Sequence, residues 1–433
     1  MSKEQKRIMI SALKEKVGEQ VVIKGFVHVI RNQGKIKFVI IRDISGQVQC
    51  VVLKDSTAFN VVDSLSHEYV VEVHGLVKEE KQAPGGFEIE TKEIIVLSEA
   101  DPQLPIPVIV EKGGEEPETA KRFDYRWLDL RREEKRKIFE VWTSLEKGFR
   151  DFINDSGYIQ VYTPSLMMSP SESGSEVFEV KYFDRLAYLA QSPQFYKQLG
   201  MAAGFEKVFM IGPVFRAEPS FTTRHMTEFT GWDFELSYIE SHHDVMDEEE
   251  KMLIAGFTRL KNEALVDVEI PSRPFPRITM KEAKEKLKKA GILGDKEHDL
   301  SPEEEREISN IVKEETGHDF VFLIDWDISI RPFYHMRHED NKSLTKSFDL
   351  LYKGLEITTG AQREHRADVL IAQAKEKGME LSEIDYYIEF FRYGCPPHGG
   401  GGIGPGRIIM QLLDLPSVKE ATYLPRDVKR LAP

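Results

Sequence analysis

Basic, acidic and aromatic side chains alternate in the stretch KVFMIGPVFRAEPSFTTRHMTEFTGWDFE, residues 207–235. A guanidinium can form paired hydrogen bonds with a phosphate or carboxylate, and an aromatic face can stack on a base. These types predict a site for an anionic ligand with a flat base, although a solvated ion-pair face would have a similar composition. The candidate residues are Arg216, Glu218, Arg224, His225, Glu228, Phe229, Trp232 and Asp233.

The same stretch has the pattern of a β-hairpin. Residues 208–211 and 214–215 form an apolar run typical of a buried strand, and residues 228–236 indicate a second strand. Residues 218–223 are polar and predict the turn. A hairpin of this kind would present groups from both strands to one cleft.

The segments FRAE, TTRHMTEF and WDFE, in this order, resemble motif 2 of class II aminoacyl-tRNA synthetases, and most closely that of the aspartyl enzymes. The resemblance extends from about residue 19 to residue 433. It implies an α+β fold, with an N-terminal five-stranded OB-fold β-barrel joined to a class II catalytic domain of antiparallel sheet flanked by helices. It also implies that aspartate and ATP form aspartyl-adenylate, from which the aspartyl group passes to tRNA.

Composition limits the alternatives. A length of 433 residues suggests two or three domains, and the net charge of −14 counts against a protein that coats nucleic acid. Basic clusters within residues 121–137 and 426–430 still allow a specific RNA reader.

Cys50 and Cys395 lie far apart, which argues for a reducing compartment and against a zinc site. With no bilayer-length apolar run and no signal peptide, we expect a cytoplasmic protein without a membrane span.

The pattern predicts three regions. Residues 1–104 form the barrel domain, in which an amphipathic helix over residues 1–18 precedes five strands of period two. Residues 105–130 are rich in Pro and Gly and indicate a linker. Residues 131–433 form the catalytic domain, with a charged, solvated helical insertion at about 241–315 to which we assign no chemistry.

Single-stranded RNA is read by stacking on aromatic side chains and by polar contacts to base edges. The resemblance places the stacking residue at Phe38, which could equally be a core residue, and the edge readers at Arg31, Gln49 and Glu88. Family members that also accept the asparagine tRNA tend to carry His and Pro where this chain has His28 and Pro84. We therefore expect both tRNA(Asp) and tRNA(Asn) to be charged, unless these are an ordinary strand residue and turn proline.

The segment QSPQFYKQ is the most aspartate-specific part of the resemblance. It implies that Lys197 and Arg363 hold the side-chain carboxylate of aspartate. A bidentate guanidinium would reject the neutral asparagine amide. Residues 169–175 resemble the loop that closes over the amino acid, with Ser173 where the family more often has Gly. The remaining expected contacts to aspartate are Glu172, Gln194, Arg216, Asp233 and Thr359.

For ATP, the resemblance implies Arg216 on the α-phosphate and Glu218 on the adenine edge. Arg224 and His225 would lie near the outer phosphates, and Phe229 and Arg407 on the two faces of adenine; Arg216 and Arg407 are the expected catalytic residues. Relatives usually have Leu and an acid where this chain has Pro405 and Gly406, which leaves the orientation of Arg407 open.

Asp349 and Glu356, with Thr359, are the expected ligands of Mg²⁺, because hard oxygen ligands suit this ion. Carboxylates seven residues apart would point to opposite faces of one strand. The assignment therefore requires a hairpin turn at Lys353 and Gly354.

The helical pattern of residues 135–154, the strand after it and Pro164 resemble motif 1, which builds the dimer interface of the class, so we expect a homodimer. Charging of tRNA(Asn) would also imply a tRNA-dependent amidotransferase as partner. Two alternatives stay open: a strictly discriminating aspartyl enzyme and a non-catalytic RNA-binding paralogue.

Overall fold

The computed structural model describes residues 6–109, 114–172, 177–219, 222–292 and 294–433. The chain forms two compact units, Met1–Glu118 and Thr119–Pro433. Among the helices of the described residues, none is long and apolar enough to cross a membrane.

The first unit is a closed five-stranded barrel, as predicted. Its strand order is β1-β2-β3-β5-β4. Alternate residues of each strand fill the barrel, and the buried set includes Val39, Ile41, Val73 and Ile89. The strands are β1 (Gln20–Asn32), β2 (Ile36–Asp43), β3 (Gly46–Leu53), β4 (Val70–Glu79) and β5 (Phe87–Ser98).

The helix expected over residues 1–18 is wrong in extent and type for the part that the structure describes. Only Ile10–Lys16 is helical, as a 3-10 helix that buries Ile10 and Leu13. Before it the chain is extended, because the Ile8 amide donates to the Val22 carbonyl. Val17, expected on the apolar face, is 47% exposed.

The second unit is built on an eight-stranded sheet of order β12-β13-β14-β15-β16-β11-β10-β6, with a separate three-stranded sheet of order β7-β9-β8. This mixture of sheet and helix confirms the α+β class. The strands are β6 (Ile159–Gln160), β7 (Leu166–Met167), β8 (Glu179–Tyr182), β9 (Arg185–Leu189), β10 (Lys207–Phe215), β11 (Glu228–Ser237), β12 (Arg277–Thr279), β13 (Phe320–Ile324), β14 (Ser347–Tyr352), β15 (Leu355–Arg363) and β16 (His398–Ile403).

Ten α-helices of the described residues surround these sheets, together with the short 3-10 helix Ile328–Ile330. The first two, α1 and α2, lie in the segment expected to be a linker. The helices are α1 (Thr119–Asp124), α2 (Arg126–Asp129), α3 (Glu133–Asp155), α4 (Gln194–Ala202), α5 (His242–Asn262), α6 (Met280–Lys289), α7 (Pro302–Thr316), α8 (Ala367–Glu376), α9 (Leu381–Phe391) and α10 (Pro405–Leu412).

Two long helices, α3 and α5, pack together over the sheet. The predicted helix of residues 135–154 is confirmed as α3. A Cβ atom on Gly148 would lie 2.7 Å from the Ala255 carbonyl oxygen, so glycine permits the close approach. The expectation of a solvated insertion is wrong for α5, which buries Met246, Leu253 and Phe257 in the main core. Its apolar residues recur at helical spacing between the acids.

The basic residues at the start of the second unit are internal. Arg126 is fully buried, and its guanidinium donates to Asp129 at 2.6 Å and to the Glu420 carbonyl oxygen at 2.9 Å. Arg122 is also buried and bonds to Asp129 and Glu420. Part of the cluster considered for RNA binding therefore holds α1 and α2 to the C-terminal segment of this unit.

Candidate active site

The predicted hairpin is confirmed as β10 and β11, which pair antiparallel from Lys207 opposite Leu236 to Phe215 opposite Glu228. The hairpin borders a cavity of about 1030 Å³ in the second unit. The lining includes all but one of the residues expected to bind aspartate, ATP or metal. These lining residues are Glu172, Gln194, Lys197, Arg216, Glu218, Arg224, His225, Phe229, Asp233, Glu356, Thr359, Arg363 and Arg407.

Lys197 and Arg363 both line the cavity, and we call their part of it the inner end. They are 1% and 2% exposed. The Lys197 ammonium lies 2.8 Å from Asp233 Oδ1 and donates to the Gly401 carbonyl oxygen at 3.1 Å. Arg363 Nη2 donates to the Gly400 carbonyl oxygen at 2.9 Å. The expected pair of cations is therefore assembled from α4 and β15.

Glu235, which sequence reasoning missed, joins these two cations. Its side chain is fully buried, accepts from Arg363 Nε at 3.0 Å and lies 3.6 Å from the Lys197 ammonium. Burial opposes ionisation, but the two neighbouring cations hold the pKa of Glu235 below its ordinary value. Glu235 stands two residues after Asp233 on β11, so the period of a strand could have revealed it.

The backbone of β16 approaches this site closely because the four central residues of the strand are glycines. A Cβ atom on Gly400 would lie 2.1 Å from the Phe234 carbonyl oxygen and 2.3 Å from a Glu235 carboxylate oxygen. A side chain there would push β16 away from β11. The glycines thus allow the carbonyls of β16 to bond Lys197 and Arg363.

Glu172 faces the cavity from the segment before β8. Its two carboxylate oxygens accept from Ser192 Oγ and Tyr334 Oη, both at 2.6 Å. Burial raises the pKa of Tyr334, and the Glu172 charge raises it further. Tyr334 was not expected in the site. Residues 173–175 of the expected mobile loop lie outside the described residues.

Gln194 is held by a buried polar network. Its Nε2 donates to Gln198 Oε1 at 3.1 Å, and Gln198 Nε2 in turn donates to His398 Nε2 at 3.0 Å. Tyr387 Oη donates to the same Gln198 oxygen at 2.8 Å. This network fixes the Gln194 side chain beside the cavity.

Arg216, Arg224 and Arg407 also line the cavity, and we call their part of it the outer end. The Arg216 guanidinium lies over the Phe229 ring, 5.5 Å from its centroid. Arg407 Nη1 donates to the Glu356 carbonyl oxygen at 2.8 Å and to its carboxylate at 3.1 Å. Glu356 thus orients Arg407, whose usual neighbouring acid is missing from this chain.

The departure at Pro405 and Gly406 is compatible with the helix that it begins. Pro405 occupies the first turn of α10, where a missing amide hydrogen is tolerated. A Cβ atom on Gly406 would lie 3.2 Å from Val418 Cγ2, so the glycine packs against the C-terminal segment.

Arg224 and His225 follow the turn of the hairpin. Arg224 Nη1 donates to Glu305 Oε2 on α7 at 2.5 Å. His225 Nδ1 shares a hydrogen bond of 2.5 Å with Thr222 Oγ1. Burial lowers the pKa of His225, and the charge of Arg407 lowers it further. Glu305 belongs to the stretch to which we assigned no chemistry.

Asp349 and Glu356 lie on one face of the β14–β15 hairpin, as the metal assignment requires. Asp349 pairs with Thr359, and Leu351 pairs with Glu356. The turn between the strands has positive φ at Lys353 and Gly354, the signature of a two-residue hairpin turn. A bulge beside Leu351 then restores Glu356 and Thr359 to the same face.

Asp349 lies just outside the cavity lining. Its Oδ2 accepts from Arg331 Nη2 at 2.7 Å, and its Oδ1 is buried without a hydrogen-bond partner in the described structure. Burial raises the pKa of Asp349 to about 6, although Arg331 opposes the shift. Burial also acts against ionisation of Glu356, whose pKa is nevertheless lowered, chiefly by Arg407.

In the barrel unit, Phe38 lies on the outer face of β2 and is half-buried, whereas Lys37 and Val39 on either side are buried. The core alternative is therefore wrong. Arg31 pairs with Phe38 across β1 and β2. Gln49 Nε2 donates to Glu88 Oε2 at 2.9 Å, so these two expected readers face one another.

His28 stands at a bulge of β1, where the register with β2 shifts between Val27 and Val29. Its Nδ1 accepts from Arg42 at 2.8 Å, and Arg42 in turn donates to the buried Glu68 at 3.0 Å. Burial lowers the pKa of His28, and Arg42 lowers it further. The His28 side chain is thus held by a hydrogen bond within the barrel, and its part in the choice of tRNA stays a prediction. Pro84 opens the short 3-10 turn Pro84–Gly86.

Two family models match this chain. Residues 118–428 match the model for class II tRNA synthetases (D, K and N), and residues 21–97 match the model for the OB-fold nucleic acid binding domain.

Several relatives match nearly the whole length of this chain and are named as tRNA ligases or synthetases for aspartate or asparagine. The aspartate–tRNA(Asp/Asn) ligase of Methanopyrus kandleri is 42% identical over 429 residues, which cover 97% of each chain. The aspartate–tRNA(Asp) ligase of Thermococcus kodakarensis is 39% identical, with 96% of this chain and 97% of that one covered. Asparaginyl-tRNA synthetase from Pyrococcus horikoshii, solved with asparaginyl-adenylate, superposes with a TM-score of 0.90 at 31% identity, covering 99% of this chain and 100% of that one. The chain belongs to the class II tRNA synthetases of the aspartate, lysine and asparagine group.

Proposed function

We propose that this chain attaches L-aspartate to tRNA(Asp) through an aspartyl-adenylate formed from ATP. The observation that carries the choice of amino acid is the pair of buried cations, Lys197 and Arg363, joined by Glu235. An aspartate carboxylate offers two acceptor oxygens to the N–H donors of these side chains, whereas the asparagine amide replaces one of them with an NH2 group that can only donate.

The aspartate α-carboxylate attacks the α-phosphate of ATP, a bond forms between them, and pyrophosphate leaves. The ribose hydroxyl at the tRNA terminus then attacks the aspartyl carbonyl, and AMP leaves. No protein nucleophile takes part. Arg216 and Arg407 act by neutralising charge that develops on phosphate, and Glu172 and Asp233 act by holding the substrate ammonium group.

The residues expected to bind Mg²⁺ suit it. Asp349, Glu356 and Thr359 offer hard oxygen ligands on one face of the hairpin, and the buried Oδ1 of Asp349 lacks a partner in the described structure. Within that part of the chain, no group of three or more His, Cys, Asp or Glu side chains could hold a metal. Phosphate oxygens would have to complete the coordination. The ion would neutralise phosphate charge.

The decisive experiment is aspartate-dependent exchange of pyrophosphate into ATP. Arg216→Ala should lower this exchange by about 100-fold or more, because it removes one cation from the developing charge. Binding of tRNA should stay near the level of the unmodified protein. Arg392→Ala, an exposed arginine on the surface, is the matched control.

Exchange at the unmodified level in Arg216→Ala would contradict the role of this arginine. Background exchange in the folded, unmodified chain would instead favour the non-catalytic RNA-binding paralogue.

We further propose that tRNA(Asn) is charged as well. The support is His28, held by Arg42 at the bulge of β1, and the name of the Methanopyrus kandleri relative. Charging assays with purified tRNA(Asp) and tRNA(Asn) test it. His28→Trp should lower charging of tRNA(Asn) selectively. A bulky indole would clash with one of the two bases that can stand at the third anticodon position.

Phe38→Ala is the comparison variant for that assay, because loss of a stacking surface should lower charging of both tRNAs together. No charging of tRNA(Asn) by the unmodified chain would establish the strictly discriminating alternative. If tRNA(Asn) is charged, a tRNA-dependent amidotransferase must convert the attached aspartate into asparagine.

A cytoplasmic homodimer is the proposed working form. Support for the dimer comes from large exposed apolar side chains, which include Tyr162 and Met168, close in sequence to the edge strand β6, and Phe183 between β8 and β9. Such side chains mark protein interfaces. Sedimentation equilibrium tests the dimer, and a monomer at micromolar concentration would contradict it.

A further inference from the structure

One contact of the outer end comes from a helix outside the hairpins that build the cavity. Glu305, in the first turns of α7, is 6% exposed and pairs with Arg224 at 2.5 Å. These residues are 81 positions apart in sequence.

The first turn of α7 is firmly held, which fixes the direction of Glu305. Ser301 caps the helix and forms a capping box with Glu304. Glu304 is also paired with Lys284 on α6 at 2.7 Å. Glu304 therefore serves the helix itself, and the next carboxylate, Glu305, is directed to Arg224.

α7 also packs against the hairpin of β14 and β15, which carries the expected metal ligands. A Cβ atom on Gly354, in the turn between β14 and β15, would lie 2.9 Å from the Cα atom of Arg306. Because Gly354 has a φ of 80°, the turn needs glycine for its backbone as well. The helix that carries Glu305 thus touches the turn between Asp349 and Glu356.

The contact with Glu305 engages one nitrogen of Arg224. A guanidinium has five N–H donors in a rigid fork and can bind two acceptors at once. Arg224 lines the cavity and its side chain is 21% exposed, so it can bind a ligand there while it remains paired with Glu305.

We propose that Glu305 is a positioning residue for the nucleotide: it anchors Arg224 so that the guanidinium faces the part of the cavity that receives the outer phosphates of ATP. This inference rests on the proposed function. Without the anchor, a long flexible side chain would have to be ordered when ATP binds, and affinity for ATP would fall.

The charges around Glu305 make glutamine an informative replacement. Burial raises the pKa of Glu305 to about 7; Arg224 and Arg407 oppose the shift, and Glu356 adds to it. Glutamine keeps an acceptor oxygen for Arg224 but not the charge, so it should retain part of the anchoring.

The test compares full-length variants in aspartate-dependent pyrophosphate exchange. Glu305→Ala should raise the KM for ATP about five- to tenfold, with kcat and the KM for aspartate within about twofold of the unmodified chain. Glu305→Gln should fall between the two. Glu303→Ala, in the same first turn but exposed, should change none of these constants.

A double variant distinguishes anchoring from a purely structural role. If Glu305 acts through Arg224, Arg224→Ala and Arg224→Ala/Glu305→Ala should have the same KM for ATP. An added rise in the double variant, or an unchanged KM in Glu305→Ala, would overturn the inference.

Direct titration of the unmodified chain and Glu305→Ala with ATP and Mg²⁺ separates this inference from the proposed function. Binding of ATP without aspartate-dependent exchange would refute the proposed function alone. Equal ATP affinity in the two proteins would refute the anchoring role.

Discussion

The two ends of the cavity hold their cations differently. At the inner end, Lys197 and Arg363 are almost completely buried and bond both to carboxylates and to carbonyls of the glycine strand β16. At the outer end, Arg224 and Arg407 have side chains that are each 21% exposed, and each uses one nitrogen for its carboxylate. Burial and several bonds fix the positions of the inner cations. The outer cations are held by single contacts, which leave other nitrogens for a ligand.

This difference teaches how one cavity can combine selection with turnover. Charges in a dry environment interact strongly and are costly to leave unpaired, so under the proposed function the inner end would select the amino acid by its charge. Partly exposed charges are screened and can rearrange at small cost, which suits groups that must bind ATP and release pyrophosphate. Stability and activity should therefore be coupled at the inner end and separable at the outer end.

Arg363→Lys should give the largest effect. Exchange should fall by about 1000-fold, and the free energy of unfolding should fall by about 3 kcal/mol. The reason is that Glu235, the Gly400 carbonyl oxygen and His335 Nε2 all lose donors of the guanidinium fork. Exchange assays and urea unfolding measure the two losses. Arg366→Lys, with a more exposed side chain, is the control. Full stability in Arg363→Lys would end the distinction between the two ends.

Arg407→Ala should give a large effect on activity alone. Exchange should fall by about 100-fold, but the free energy of unfolding should change by no more than about 1 kcal/mol, since the Arg407–Glu356 pair is partly exposed. The same two assays apply. A loss of stability as large as that in Arg363→Lys would show that the outer end is also fixed by packing.

Glu249→Gln should give the smallest effect on exchange. This variant compares the paired carboxylates of the cavity with a carboxyl group that burial keeps protonated. Glu249 is fully buried on α5 and faces Thr358; burial raises its pKa to about 8, Thr358 opposes this, and Glu250 adds to it. Between the ordinary value of 4.5 and about pH 8, the folded chain keeps a proton that the unfolded chain has lost. Stability from this group is therefore full below 4.5 and is lost as the pH rises towards 8.

Thermal unfolding from pH 5 to pH 8 checks this sign. The contribution of Glu249 amounts to at most about 1.4 kcal/mol per pH unit, so Glu249→Gln should gain stability over the unmodified chain as the pH rises. Glu314→Gln, an exposed acid on α7, should follow the unmodified chain. A difference that stays constant with pH would show that Glu249 is ionised in the fold.

Local patterns were sufficient to predict much of the fold. The period of two in the barrel strands and in β10 and β11 follows from which face of each strand is buried. The hairpin turn at Lys353 and Gly354 was required by the spacing of two carboxylates, and it is present.

Partners from distant segments could not be predicted in this way. Arg331 and Glu305 lie 18 and 81 residues from Asp349 and Arg224, and only tertiary packing brings each pair together. Composition indicates surface charge for the buried arginines of α1 and α2, because it does not show that Glu420 neutralises them from nearly 300 residues away. The apolar pattern predicts a longer N-terminal helix than the structure contains. Packing against the barrel, and not this pattern, decides where the 3-10 helix ends.

The attachment of Arg126 to the carbonyls of Glu420, Thr422 and Tyr423 has a consequence for biosynthesis. The first helices of the second unit can complete these bonds only after the ribosome has added residues 420–423. The barrel contains every strand it needs within the first hundred residues, so it can fold while the remainder is being translated. Premature termination shortly before residue 420 would therefore release a folded anticodon-binding module with an unfinished ligase attached.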